Sequence, residues 1–571
     1  MENSQIGDIF DEIADLIELQ DGNPFRIRSY RNAARTVRDQ GKRIEDMVRD
    51  GADLTELPNI GDSTAKKIHE ILETGTCEKL KELHEEVPEG LTKLMNVPQL
   101  GPRKTIKLYK ELGIESIEDL RKVCEEGKVR ELEGFGEKSE QNLLEGIETL
   151  DKTSGRYLYR TAAEQVDRLA RHLDKIGELK RWEVAGSFRR CKETIGDLDI
   201  LVEADDRSAA TEAILEYEAI DSVESRGEEK VTVYLDTGLQ IDFRFFEDSS
   251  FGAAMMYFTG SKAHNIAVRK RAVQKDWKLN EYGLMSGEKR LAGKTEEAIY
   301  KRLAMSWVPP ELREDRGEVE AAEEDRLPEL VNRDEIRGDL QSHTNETDGS
   351  NTIAEMAGAA VEAGYEYFAI TDHSQAVSVA NGMDEDRLRA HAEAIREVDE
   401  GLDDLWLMAG VEVDILKDGG LDLAEDVLEE VDWVMGSIHY QFNLSEEKMT
   451  ERLLRGIRSG LIDSLAHPTV RIIGRREPIA YDMEKVFEAC AENGVCIEIN
   501  GQPDRLDLPD IYCKQALEAG VTFTLGTDAH QRNNLDFMQY AVNVARRGWL
   551  EKDNVLNTRT VGELREWLGN D

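Results

Sequence analysis

Residues 184–200 read VAGSFRRCKETIGDLDI, and the rest of the chain is best understood outward from them. A first apolar run ends on Gly186 and Ser187 with two arginines behind them, and a second carries Asp197 and Asp199. In a strand, residues two apart point to the same face. Two neighbouring carboxylates there repel each other unless cations intervene. Asp242 lies in LQIDFRFF at 239–246, a further strand-like run that could stand alongside. Three carboxylates on one sheet face suit two Mg²⁺ or Mn²⁺ ions, which activate an attacking hydroxyl and steady a leaving phosphate. An Asp-x-Asp alone reads equally well as exposed acid in an acidic protein.

Around this stretch the chain changes character several times. Strand-like runs WEVAGSF, DLDILVEA, KVTVYLDT and LQIDFRFF, with a helical stretch near 207–217, make 151–250 an α+β segment. A mixed, mostly helical segment, 251–312, follows. Residues 311–330, ELREDRGEVEAAEEDRLPEL, hold nine acidic and three basic residues with almost no apolar period. That composition predicts a solvated acidic linker over 313–334. From 335 to 571, apolar strands alternate with amphipathic helices, the pattern of a parallel barrel-like domain.

The first 150 residues are helical and contain three similar segments, LPNIGDSTAKKIHEIL, MNVPQLGPRKTIKLYKEL and LEGFGEKSEQNLLEGI. Each has an apolar residue, a Gly turn and a run with helical periodicity, the shape of a helix-hairpin-helix repeat. Gly61, Gly101 and Gly136 precede the second helices, where exposed backbone N–H groups can hold a DNA phosphate without reading a base. Packed hairpins with Gly caps are the plainer alternative. The expected division is a helical domain at 1–85 and a helix-hairpin-helix domain at 86–150.

At 571 residues the chain should hold several domains. No stretch reaches the roughly 20 apolar residues of a membrane helix, and the acidic start lacks the pattern of a secretory signal. Six scattered cysteines without a CxxC pair point to a reducing cytoplasm, with neither a disulfide framework nor a zinc ribbon. The net charge of −45 is unusual for a nucleic-acid enzyme, which normally carries a basic footprint. Concentrated salt would screen the self-repulsion of such an acid coat, so the charge reads as halophilic adaptation.

Six of the ten histidines lie after residue 335. Four of these follow apolar runs: His373 in TDH, His439 in SIHY, His467 in AHP and His530 in TDAH. His343 and Asp348 come from the first such unit, and Glu412 and Asp528 from others. Sites in parallel barrels collect at strand ends. One such histidine is usually structural; five with interleaved carboxylates suggest a polynuclear metal site. Imidazole and carboxylate without thiolate favour Zn²⁺, Mn²⁺ or Fe²⁺.

These motifs carry two resemblances. VAGSFRRCKETIGDLDI closely resembles the nucleotidyltransferase signature of family X DNA polymerases, and MMYFTGSKAHNIAVRKRA and NEYGL continue the match. The resemblance implies a palm at 151–250 and a nucleotide-selecting thumb at 251–312. Asp197, Asp199 and Asp242 would then be catalytic metal ligands, and Gly186, Ser187 and Arg190 would cradle the triphosphate. Tyr257, Phe258 and Gly260 would line the sugar, and Asn265 and Arg269 would approach the nascent base pair. NPFRIRSYRNAARTV resembles the family's lyase domain, with Lys67 at the Schiff-base nucleophile and Lys66 beside it. The sequence departs from the pattern at Gln240, Ile195, Ser63 and Arg26.

The segment from 335 onward resembles the polymerase-and-histidinol-phosphatase (PHP) domain, a distorted βα barrel holding two or three Mn²⁺ or Zn²⁺ ions. That resemblance makes Gln341, His343, Asp348, His373, Glu412, His439, His467, Asp528 and His530 metal ligands. Gln341 stands where the usual opening pair has its first histidine. Together the resemblances imply a monomeric gap-filling polymerase acting on gapped or nicked DNA with dNTPs. Its PHP domain would be a 3′–5′ exonuclease and abasic-site endonuclease in base excision repair. A DNA-end-binding scaffold with decayed sites, or a PHP domain acting on a small phosphoester, stays open.

Overall fold

The computed structural model describes every residue except 2, 21, 39–43, 50, 58, 88–90, 92–93, 95–96, 98–99, 101, 133, 137–138, 142, 145–146, 148–155, 474–475, 477 and 570–571. The chain divides into two compact units. One comprises residues 1–157, 162–184 and 194–248, and the other 158–161, 185–193 and 249–571. The Gly-Ser turn quoted above therefore belongs to the second unit, while the strands on either side of it belong to the first.

The first unit opens with helices. In Asn3–Leu19 the residues Ile6, Phe10, Ile13 and Ile17 recur at helical spacing and are buried, and Tyr30, Ala33 and Val37 of Pro24–Arg38 join the same core. Gly61 caps the helix Asp62–Thr74, its carbonyl accepting Ala65 N at 2.9 Å. Gly136 does the same for a later helical turn, accepting Glu140 N at 2.9 Å. Gly101 lies outside the described residues.

A five-stranded sheet completes this unit: β1 (Leu179–Val184), β2 (Asp197–Ala204), β3 (Ile220–Arg226), β4 (Lys230–Leu235) and β5 (Gln240–Phe245). The strand order is β1-β2-β5-β4-β3. Only β2 and β5 run parallel, and their register sets Asp197 opposite Gln240 and Asp199 opposite Asp242. Alternation puts Leu198, Ile200, Ile241 and Phe243 into the core and leaves the aspartates on the other face.

The second unit begins with the helices Asp248–Thr259 and Lys262–Val273. They are followed by the antiparallel strands β6 (Lys278–Asn280), β7 (Gly283–Ser286) and β8 (Lys289–Ala292) and the helix Glu296–Leu303. Their core holds Met256, Val268, Ile299, Tyr300 and Leu303.

The segment expected to be a solvated linker, 313–334, is instead folded onto this core. Its helix Glu318–Glu323 buries Val319 and Ala322 there. Arg313 and Glu318 are wholly buried because each is paired. Arg313 binds Glu296 through both amino nitrogens, at 2.6 and 3.2 Å. Glu318 meets His264 Nδ1 at 2.6 Å, and His264 Nε2 meets the Tyr300 hydroxyl at 2.8 Å. A charge count cannot tell a solvated acid from one whose partner waits elsewhere in the chain.

The remainder is a barrel of seven parallel strands in sequential order: β9 (Gly338–Asp339), β10 (Tyr367–Ile370), β11 (Trp406–Asp414), β12 (Trp433–Ser437), β13 (Ser464–Leu465), β14 (Cys496–Asn500) and β15 (Phe523–Gly526). A bridge between Ser342 and Ala529, with His343 N donating to Ala529 O at 2.8 Å, joins the last strand's end to the first's. The strands are buried nearly throughout, as a parallel sheet covered by helices requires. This is the parallel barrel expected from the alternating pattern, and the βα barrel that the PHP resemblance implies. Among the described residues, no helix is long and apolar enough to cross a membrane.

Candidate functional site

On the five-stranded sheet, parallel pairing makes Asp199 and Asp242 neighbours and leaves Asp197 exposed at the start of β2. Asp242 is buried and surrounded by donors. Thr232 Oγ1 donates to it at 2.8 Å, Arg244 Nη2 at 2.6 Å, and Lys230 Nζ lies 2.7 Å away. Arg244 also reaches Asp199, donating from Nε at 3.1 Å. Burial, then the adjacent Asp197, pushes the Asp199 carboxyl up to about 6 against the pull of Arg244. Three carboxylates are thus crowded onto one face with cations already drawn toward them, an arrangement suited to divalent metal.

The residues expected to hold the nucleotide all lie in the second unit. Gly186, with φ +67, opens the turn in a conformation that favours glycine. Arg190 leaves that turn, donating from Nη1 to the Thr259 carbonyl and from Nε to Glu314 Oε1 at 3.0 Å. A Cβ on Gly260, itself at φ +70, would stand 3.2 Å from Arg190 Nη1, so glycine admits the guanidinium there. Arg189 binds Glu296 with both amino nitrogens, at 2.9 and 2.8 Å. Tyr257 and Phe258 meet edge to face at 4.9 Å, and Arg269 lies over the Tyr257 ring. Asn265 Nδ2 donates to Tyr257 O at 2.7 Å. The structure thus gathers Arg190, Gly260 and Thr259 at one place and joins Tyr257, Asn265 and Arg269 at another.

In the N-terminal helices Lys67 is half-buried, its Nζ donating to Ser63 Oγ at 2.9 Å and lying 5.8 Å from the centre of the Tyr30 ring. Ser63, one of the departures noted above, is therefore this lysine's nearest hydrogen-bond partner.

The barrel collects its histidines and carboxylates at the C-terminal strand ends. Ligand atoms of His343, Asp348, His373 and His530 all lie within 4.8 Å of one another, as do those of His373, Glu412 and His439. Asp528 Oδ1 is 3.0 Å from His343 Nε2, and Glu412 Oε1 is 2.9 Å from His467 Nε2. His467 and Asp528 have φ of +28 and +52, backbone strain of the kind that clusters at functional sites. Burial alone would lower His373, but Glu412 and Asp348 raise it to about 9. Burial likewise disfavours the charged His530, yet Asp348 and Asp528 lift it to about 9.

The donor set fits divalent cations. Among the described residues, His343 Nδ1 and His467 Nδ1 are buried without a hydrogen-bond partner, although such groups are nearly always satisfied in folded proteins. Gln341 is buried beside this cluster, its amide 3.2 Å from Asn500 Nδ2 and 3.0 Å from Glu498 Oε2.

Over its full length the chain is 36% identical to the DNA polymerase/3′-5′ exonuclease PolX of Bacillus subtilis (strain 168), the match covering 99% of that protein. The chain belongs to the family X DNA polymerases with a C-terminal PHP domain. Family X architecture recurs segment by segment. Residues 1–77 match a helix-hairpin-helix domain, 91–149 a SAM-like helix-hairpin-helix tandem, 159–251 the DNA polymerase beta palm and 254–314 the DNA polymerase beta thumb. Residues 339–502 match the PHP domain. Over a third to two fifths of its length the chain is also similar to proteins named probable phosphatases. One from a Thermoanaerobacter species is 29% identical over 40% of the chain and 94% of its own length. One from Photobacterium profundum is 31% identical over 34% of the chain and 77% of its length.

Several residues of this family X chain escaped the sequence reading. Asp414 Oδ2 lies 3.2 Å from His439 Nδ1, and Asp372 Oδ2 lies 2.9 Å from His391 Nε2. Carboxylates behind imidazoles fix ring orientation and tautomer. Asp414 stands two residues after Glu412 on the same strand, and that spacing was a usable signal. Lys230 and Arg244 gave none, since their role depends on which strands pair.

Proposed function

We propose that this chain is a template-directed DNA polymerase that fills short gaps in base excision repair. Its PHP domain would serve as a 3′–5′ exonuclease and abasic-site endonuclease. The observation that carries the polymerase reading is the β2–β5 register, which sets Asp199 opposite Asp242 behind Asp197. Bound there, Mg²⁺ or Mn²⁺ would lower the pKa of the primer 3′-hydroxyl and neutralise the departing pyrophosphate. Asp197, Asp199 and Asp242 would hold the ions, with Arg244 and Lys230 releasing carboxylate oxygens to them. Gly186, Ser187 and Arg190 would bind the dNTP phosphates. Tyr257, Phe258 and Gly260 would contact the sugar, and Asn265 and Arg269 the base pair and template. Gly61, Gly101 and Gly136 would meet the DNA backbone.

In the barrel, His343, Asp348, His373, Glu412, His439, His467, Asp528 and His530 would hold two or three Mn²⁺ or Zn²⁺ ions, with Gln341 beside them. A single experiment tests the pair of activities. The protein, as a monomer, is given a primer facing a one-nucleotide gap and, separately, single-stranded DNA, with Mg²⁺ or Mn²⁺. Extension that requires the templated dNTP, together with 3′ shortening of the single strand, is expected. Neither product with either metal would leave a DNA-end-binding scaffold.

A second reading of the barrel has its own support, because relatives named probable phosphatases match a third to two fifths of the chain and most of their own length. Hydrolysis of small phosphoesters with DNA left intact would favour it.

Lys67 is proposed as a 5′-deoxyribose-phosphate lyase nucleophile. Borohydride should trap a covalent complex with an incised abasic duplex, and Lys67→Ala should lose most of it. Undiminished trapping would move the nucleophile to Lys66 or elsewhere. The charge of −45 supports halophilic adaptation. Folding and activity are expected to need molar KCl. Full activity confined to salt below about 0.2 M, where the Debye length is still about 7 Å, would contradict that.

A further inference from the structure

Arg190, whose proposed partner is the triphosphate, is held from behind by the barrel. Arg547 ends the helix Met538–Arg547 and is buried. Its Nη1 donates to the Arg190 carbonyl at 2.6 Å and to Glu314 Oε1 at 3.2 Å. Its Nη2 donates to Asp510 Oδ2 at 2.6 Å. Glu314 Oε1 is the same oxygen that accepts from Arg190 Nε. The barrel therefore grips both the backbone of Arg190 and the carboxylate that orients its guanidinium. A second barrel arginine, Arg471, reaches Glu193 in the same turn at 2.8 Å. Asp510 is steadied in turn by Arg316 at 3.1 Å.

We infer that Arg547, anchored by Asp510, is a positioning residue of the polymerase, aligning Arg190 for the dNTP phosphates through Glu314 and the Arg190 carbonyl. The inference rests on the reading of Arg190 as a phosphate ligand. Its physical basis is preorganisation. A guanidinium meets phosphate oxygens in a fixed fork geometry, and an arginine already held in one rotamer loses less freedom on binding. Arg190 is 13% exposed, so its head group is mostly walled in. Glu314 is also buried, where a carboxylate needs partners; the neighbouring cations hold it well below the usual range although burial acts the other way. The PHP domain would then contribute to nucleotide binding independently of its own metal site, by a route a plain domain interface does not need.

The test is single-nucleotide gap filling by the full chain, with KM for dNTP and kcat measured separately and single-stranded DNA degradation as the control for an intact barrel. Arg190→Ala should raise KM about tenfold or more. Arg547→Ala should raise KM about five- to twentyfold with kcat within about twofold and degradation unchanged. In the Arg190→Ala background, Arg547→Ala should add less than about twofold, because one residue acts through the other. Arg547→Lys should recover part of the loss. An unchanged KM in Arg190→Ala overturns the phosphate-ligand reading and this inference with it. A raised KM there but an unchanged one in Arg547→Ala overturns the positioning role alone, as does an Arg547→Ala penalty that is undiminished in the Arg190→Ala background. If Arg547→Ala does not fold, Glu314→Gln, which keeps the shape and removes the charge, carries the same expectation and the same refutation.

Discussion

The palm and the barrel both crowd carboxylates where phosphate chemistry is expected, yet they balance that charge differently. In the palm three aspartates share one sheet face with no imidazole among the described residues, and Arg244 and Lys230 lean onto them within 3.1 Å. In the barrel the carboxylates Asp348, Glu412 and Asp528 are interleaved with histidines. Among the described residues, two of those imidazole nitrogens, His343 Nδ1 and His467 Nδ1, are buried without a hydrogen-bond partner. Protein cations on flexible stems can be displaced, so the palm suits an ion that arrives hydrated with the nucleotide. Buried imidazoles on strand ends cannot easily be satisfied another way, so the barrel suits resident ions. All-oxygen ligation favours Mg²⁺, and mixed nitrogen and oxygen ligation favours Mn²⁺ or Zn²⁺.

Metal removal should expose this difference most strongly. After exhaustive chelation and desalting, gap filling is expected to return in full with Mg²⁺ alone. Single-strand degradation is expected to return only when Mn²⁺ or Zn²⁺ is supplied. Recovery of both by Mg²⁺ alone would erase the distinction between the two sites.

A smaller effect should come from Gln341. Its amide faces Asn500 and Glu498, and a carboxamide is a weaker ligand than a neutral imidazole. Gln341→His should shift the degradation optimum from Mn²⁺ toward Zn²⁺, with metal affinity changing about tenfold, and should leave gap filling untouched. If the unmodified chain degrades no DNA with any divalent metal and Gln341→His creates the activity, the barrel site has decayed.

How much of this was legible in the sequence follows the same contrast. The aspartate face of the palm was legible locally, since Asp197 and Asp199 are two apart on one strand and period-2 alternation fixes their common face. The barrel's imidazole cluster was legible as a set, since His373, His439, His467 and His530 each follow an apolar run. What the sequence hid was pairing between distant segments. Arg244 and Lys230 matter because β5 lies between β2 and β4, and no local pattern states a strand order. The acidic segment near 313–334 misled for the same reason. Arg313 and Glu318 look solvated until Glu296 and His264 are seen to bury them. The Gly-Ser turn lies in the segment that matches the palm, but the partners of its arginine, Thr259, Glu314 and Arg547, come from segments far along the chain.

One chain would then carry two chemically separate phosphodiester sites, an aspartate face in the palm and an imidazole–carboxylate cluster in the barrel. The most direct measurement compares Asp242→Ala and Asp528→Ala side by side on gapped duplex with dNTP and on single-stranded DNA, with Mn²⁺ present throughout. Asp242→Ala should lose gap filling by at least about a hundredfold while still binding gapped DNA and still degrading single strands. Asp528→Ala should lose degradation by a comparable factor while gap filling continues. Normal extension by Asp242→Ala, or loss of both activities in either variant with the protein still folded, would contradict the account.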